Sequence, residues 1–176
     1  MHRNSSARVR LMNNRSLSDG FTMIEILVAL AILAILASLA AVGLGTMTPK
    51  LRLNAATNDV RSALETAKLT AVKRNASCLV VFNTATPGSY KACVDTDNDD
   101  TCDASEEVVV QGSFAEYTGV SLQSASFSSG AKISFNSRGL PVSSSGGFAS
   151  GSVNSTNTLG DSRQVILSRT GRIRIQ

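Results

Sequence analysis

Apolar and polar positions fall into three textures along the chain. From Ile26 to Leu44, nineteen successive residues carry no charge, and most are Ala, Ile, Leu or Val. As a helix such a run extends about 28 Å, close to the thickness of a bilayer's hydrocarbon. Gly43, Gly45 and Pro49 follow, and predict a kink or short break near 43–49. Helical spacing then resumes. Leu53, Ala56, Val60, Ala63, Leu64, Ala67 and Ala71 recur at i, i+3, i+4, i+7, with Asn54, Asp59, Arg61, Glu65 and Lys68 on the other face. This predicts an amphipathic helix over 49–74, whose stripe of small residues lets a sheet pack close.

From residue 77 the spacing shifts to period two, with short apolar runs between turn residues. Strands are predicted at 77–83, 89–94, 107–111, 119–123, 131–136, 163–168 and 171–175. Thr86-Pro87-Gly88 marks the turn between the first two. Thirteen serines fall between 121 and 158, and 143–158 reads as a long, mobile hairpin or loop. The fold class is α+β: one long N-terminal helix packed on an antiparallel β-sheet head over 49–176. No second apolar run of spanning length exists, which argues against a multi-pass transporter.

Charge changes the picture only at the N-terminus. Arg3, Arg8, Arg10 and Arg15 face Asp19 alone among residues 1–20, so most of the formal +4 belongs to that segment. The remainder is nearly balanced, and any basic patch there must be local. Arginines ahead of the apolar run would hold the N-terminus in the cytoplasm. A secretory signal peptide would have a shorter apolar core and a small-residue cleavage site. A plain membrane anchor explains the length but not Glu25, an acid one turn inside a segment that otherwise excludes charge. If the chain were cut after Gly20, the new α-amino group of Phe21 would lie four residues, about one turn, from Glu25. The two charges could then pair, within a chain or between neighbours.

Gly20-Phe21-Thr22-Met23-Ile24-Glu25 followed by an apolar helix resembles the class III signal of type IV pilins and type II secretion pseudopilins. The resemblance implies a leader over 1–20, removed by a prepilin peptidase that cuts after Gly20 and methylates Phe21. It implies a transmembrane and filament-core helix over 21–48, in which Glu25 helps dock the subunit. Expected partners are that peptidase, the inner membrane, and other major and minor pilins or pseudopilins. The chain would cross the inner membrane once, with a periplasmic head, and enter a pilus or pseudopilus.

The lone histidine, His2, lies in the expected leader, and no nucleophile, zinc or phosphate-loop motif is present, so catalysis is not expected. A head in an oxidising compartment can form disulfides. Cys93–Cys102, which would leave Cys78 as a buried thiol, is the preferred pairing; Cys78–Cys93 between adjacent strands is the alternative. Between Cys93 and Glu106 lies an acidic stretch. Asp95, Asp97, Asp99, Asp103 and Glu106 occupy positions 1, 3, 5, 9 and 12 of an EF-hand-like count, the spacing by which a loop wraps Ca²⁺. Position 6, normally Gly, is Asp100. A solvated acidic turn with no metal is the competing reading.

The C-terminus ends Arg169-Thr170-Gly171-Arg172-Ile173-Arg174-Ile175-Gln176. Arg169–Gly171 reads as a hairpin turn. In the following strand Arg172 and Arg174 share one face, while Ile173 and Ile175 face the core. Arginines in a row suit phosphate contacts, but also suit an edge strand guarding against aggregation or a salt bridge to a neighbouring subunit. Ile133–Pro141 (ISFNSRGLP) and Gly171-Arg172-Ile173-Arg174 resemble the head signature of the GspH/FimT/FimU group. In FimT-type minor pilins a terminal G-R-x-R stretch is implicated in binding DNA during natural transformation. The resemblance therefore implies a double-stranded DNA contact through Gly171, Arg172 and Arg174, with Arg169 assisting. A type II secretion pseudopilin acting in protein export is the alternative.

Overall fold

A computed structural model describes residues 20–176, the side chains of 40–44 and 46 excepted. The expected leader, with its arginines and His2, otherwise lies outside the described residues. The chain divides into two compact units, Met1–Ala41 and Val42–Gln176.

Helix α1 runs Met23–Arg74, with Pro49 inside it. Of the kink or short break expected near 43–49, the break is absent: the helix assignment continues through Pro49. Proline forfeits one ladder hydrogen bond and crowds the preceding turn, at a cost of about 3 kcal/mol, which a helix of 52 residues tolerates. Thr22 starts the helix: its Oγ1 and carbonyl both accept from the Glu25 amide, at 3.3 and 3.1 Å. This is one half of the capping box written in Thr22-x-x-Glu25. Glu25, in the first turn, also complements the positive end of the helix dipole. In the first unit the described apolar side chains from Phe21 to Leu39 are exposed, between 51% and 81% for the large ones. Among the described residues no helix is long and apolar enough to cross a membrane. The apolar run of the sequence extends past those side chains to Leu44.

In the second unit every member of the predicted stripe, Leu53 to Ala71, is at most 2% exposed. Thr57 is buried with them and satisfies its hydroxyl by donating to the Leu53 carbonyl at 2.7 Å. The stripe joins a core built from the inner faces of two antiparallel sheets. The strands are β1 (Ser77–Asn83), β2 (Ser89–Asp95), β3 (Val108–Ser113), β4 (Val120–Phe127), β5 (Lys132–Phe135), β6 (Pro141–Val142), β7 (Gly151–Asn157), β8 (Ser162–Leu167) and β9 (Ile173–Ile175). The first sheet has the order β3-β2-β1-β5-β6, the second β4-β7-β8-β9. Phe82 of β1 and Phe127 of β4 stack with ring centroids 5.6 Å apart, joining the sheets.

The largest correction concerns 143–158. Its second half is β7, an inner strand hydrogen-bonded to β4 and β8 along its length. Its inward positions are Val153, Ser155 and Asn157, all buried. Two of the three are polar, so the apolar alternation that marks a strand is missing from the sequence.

Candidate functional site

The C-terminal arginines stand on a turn locked from two sides. The Ser168 amide donates to the Arg172 carbonyl at 3.0 Å, and the Gly171 amide donates to the Ser168 carbonyl at 2.9 Å. Gly171 has φ +76° and is buried. A Cβ there would lie 2.9 Å from the Gly139 carbonyl oxygen and 3.4 Å from Lys68 Nζ. Lys68 donates to the Gly171 carbonyl at 2.9 Å. The turn at 136–140, held by Asn136 accepting from Arg138 and Leu140 amides, thus abuts the turn at 168–172, and both rest on α1. Gly139 itself has φ +73° and packs against Lys68 and Val72.

Arg169, Arg172 and Arg174 are exposed, whereas Ile173 and Ile175 are half-buried against the core. The alternation expected for the terminal strand is therefore present. Among the described residues the ion pairs are Arg61–Glu65 and Arg74–Glu107; none of the three C-terminal arginines has an acidic partner within 4.0 Å. β9 is the edge of its sheet. Arg174 pairs across with Ile166, which pairs in turn with Ser152. Alternation from that register puts Ser121, Ser124, Ser126, Ser152, Asn154 and Thr156 on the same outward face.

Cys78 and Cys93 sit on the first sheet, in β1 and β2, and Cys102 in the loop between β2 and β3. Cys93 and Cys102 are bonded, with Cα atoms 5.8 Å apart, and Cys78 is a buried free thiol that burial pushes up to about 12. Register explains the choice. Cys78 faces Val94 and Leu79 faces Cys93, so Cys78 and Cys93 project from opposite faces of the sheet.

The acidic stretch folds over the outer face of that sheet. Lys91 donates to the Cys102 carbonyl at 3.3 Å and Lys132 to the Asp100 carbonyl at 2.8 Å. Asp95, Asp97 and Asp99 each bring a carboxylate oxygen within 4.8 Å of the others. Asp103 and Glu106 do not join them. Asp103 accepts from the amide and hydroxyl of Ser105 in its own turn, which holds its carboxyl below the usual range. Glu106 is buried and accepts from the Thr96 amide at 3.0 Å. Its grouping is with the two bonded cysteines, whose sulfurs no longer offer a thiolate. Asp100 does adopt φ +59°, the left-handed geometry for which an EF-hand uses Gly.

The N-terminal methylation motif of prokaryotes matches residues 15–41, which brackets Gly20, Phe21 and Glu25. A comparison with curated proteins gave no match. Among solved structures, the minor pseudopilin EpsH from the type 2 secretion system of Vibrio cholerae matches with a TM-score of 0.52 at 11% identity, over 71% of this chain and 96% of that one; at that identity the likeness speaks to the fold alone. The family described as type II transport protein GspH matches residues 56–171, from the helical stripe to the Gly171 turn. The matched stretch is well over half of the chain, and the protein belongs to that family, as a minor pseudopilin or type IV minor pilin of the GspH kind.

Proposed function

We propose that the chain is cut after Gly20, methylated at Phe21, and assembled as a minor subunit of a type IV pilus-like filament. Its apolar helix would first hold it in the inner membrane, with the head in the periplasm. One observation carries this reading: the large apolar side chains from Phe21 to Leu39 are all exposed in the single chain. A helix apolar all round is stable only in lipid or among other helices. Glu25 is the only charged residue in that stretch, and an acid there is tolerable when the Phe21 ammonium of its own or a neighbouring chain meets it. Mass spectrometry of membrane-extracted protein should find methylated Phe21 as the first residue. Glu25→Ala should be cut normally yet enter filaments poorly; normal incorporation would refute the docking role.

The head's ligand in this reading is double-stranded DNA, held by Arg172 and Arg174 with Arg169 assisting and Gly171 shaping the turn. Support comes from the absence of acid partners for the three guanidinium groups among the described residues and from the hydroxyl- and amide-rich face beside them. Arginine with Ser, Thr and Asn is the set that contacts phosphates without reading bases. Three phosphate contacts give a salt slope of about −2.7 in log K against log salt. The Arg172→Ala/Arg174→Ala variant of the full chain in detergent should bind every DNA sequence more weakly and flatten that slope. Unchanged affinity removes DNA from the reading.

The names of the matched family and of EpsH favour a second reading, a type II secretion pseudopilin acting in protein export. Export assays in a strain lacking this chain separate the two. In the first reading export continues; in the second it stops, and the double arginine variant restores it.

A further inference from the structure

Asp95 is 3% exposed, and its Oδ1 finds no hydrogen-bond partner in the structure. The backbone amides of Asn98, Asp99 and Asp100 serve the Asp95 carboxyl, but Oδ1 is left without a partner, and an unpaired buried carboxylate oxygen is unfavourable. Two further carboxylates, Asp97 and Asp99, place oxygens within 4.8 Å of an Asp95 carboxylate oxygen and of each other. Three like charges so close repel, and the two lysines at this loop, Lys91 and Lys132, bond the Cys102 and Asp100 carbonyls and make no ion pair with the three acids among the described residues.

A hard divalent cation resolves both problems at once. We propose that Asp95, Asp97 and Asp99 form a Ca²⁺ site, with Asp95 as the buried anchor and the two exposed acids closing over the ion from solvent. Oxygens around one Ca²⁺ at 2.3–2.6 Å are separated by at most about 5 Å, which the cluster satisfies. Calcium is preferred over magnesium because the donors are several carboxylates on an irregular loop. Mg²⁺ keeps most of its water and requires near-octahedral order.

The scaffold is preset for the task. The Cys93–Cys102 bond ties the loop's ends, and Glu106 fixes the Thr96 amide between the first two ligands. Thr101 donates its amide and hydroxyl to Asp99 Oδ1, both at 2.7 Å, which orients that carboxylate in the manner of an outer-shell partner. The ligand set is smaller than the EF-hand count suggested, because Asp103 and Glu106 are engaged elsewhere. The remaining positions would fall to loop carbonyls and water.

The site stands independently of filament assembly and of DNA. Calorimetric titration of CaCl₂ into the chelator-treated full chain in detergent should give one site with Kd about 10⁻⁴–10⁻³ M, the range of extracellular calcium modules. MgCl₂ should bind at least tenfold more weakly. The Asp97→Asn/Asp99→Asn variant should lose at least tenfold in Ca²⁺ affinity. Without calcium it should melt at or above the wild type, because repulsion is relieved, and it should not gain the wild type's calcium-induced rise. Three results would each overturn the site: no heat and no shift in melting up to about 10 mM calcium, equal affinity in the double variant, or an equal response to Mg²⁺.

Discussion

Gly171→Ala tests whether the C-terminal turn is truly locked against the rest of the head. At φ +76° an L side chain costs about 1–2 kcal/mol from the left-handed backbone alone. The added Cβ would also sit 2.9 Å from the Gly139 carbonyl oxygen and 3.4 Å from Lys68 Nζ. A backbone atom cannot swing aside as a side-chain tip can, so the two turns must part. That weakens the Lys68 bond to the Gly171 carbonyl, a charged donor worth about 1.5–3 kcal/mol. The sum is roughly 2.5–5 kcal/mol. Gly160→Ala is the matched control: φ is +82° and nothing lies within 4 Å of its Cβ position, so only the backbone cost applies. The assay is thermal unfolding in detergent, followed by near-ultraviolet dichroism. Both tyrosines of the chain, Tyr90 and Tyr117, lie in the second unit, so the signal reports the head. At about 3–4 °C per kcal/mol for a head of this size, Gly160→Ala should lose about 3–8 °C and Gly171→Ala about 8–20 °C. Equal losses in the two variants would refute the contact between the turns.

Replacing Cys93 and Cys102 by Ser opens a short loop, and loop-closure entropy sets the cost at about 2.5–3 kcal/mol; urea midpoints of the two proteins check it. Leu64→Ala removes a side chain with no exposed surface and should cost about 2–5 kcal/mol, again read as a lowered urea midpoint with unchanged slope. Tyr117 is raised from the usual 10 to about 12, first by its hydrogen bond to Asp59, and Tyr90 to about 12, first by burial. Raised folded values mean that the neutral phenols stabilise the head. That stabilisation is complete below pH 10 and drains away as pH rises towards 12. An ultraviolet titration should therefore show neither tyrosine ionising near 10 in the folded chain, and Tyr117→Phe should shrink the alkaline loss of stability.

Much of this architecture is legible from spacing because burial and period coincide. The stripe from Leu53 to Ala71 is apolar at every predicted position, and the structure buries all seven. β7 is illegible for the opposite reason. Ser155 and Asn157 point inward, so the core at that strand is lined by groups that read as a loop. The pairing of Cys93 with Cys102 could be guessed from spacing, but what excludes Cys78 is a register of one residue, which only the folded sheet supplies. The meeting of Gly139 and Gly171 is likewise invisible along the chain, since it is made by two turns from different sheets. The EF-hand count overreached at Asp103 and Glu106, which answer to Ser105 and to Thr96. Thr22 was readable all along; the T-x-x-E signature lay within the very motif that drew attention to Glu25.

That cap has a bearing on maturation. The helix begins by its own local chemistry at Thr22, two residues downstream of Gly20, and among the described residues its first bonds close on Thr22 itself. Severing the polypeptide just before Phe21 would leave the rod's beginning as it was, with its register and Glu25's place in the opening turn unchanged. Proteolysis would then alter only the charge at the tip, turning a neutral peptide link into a cation beside an acid already in position.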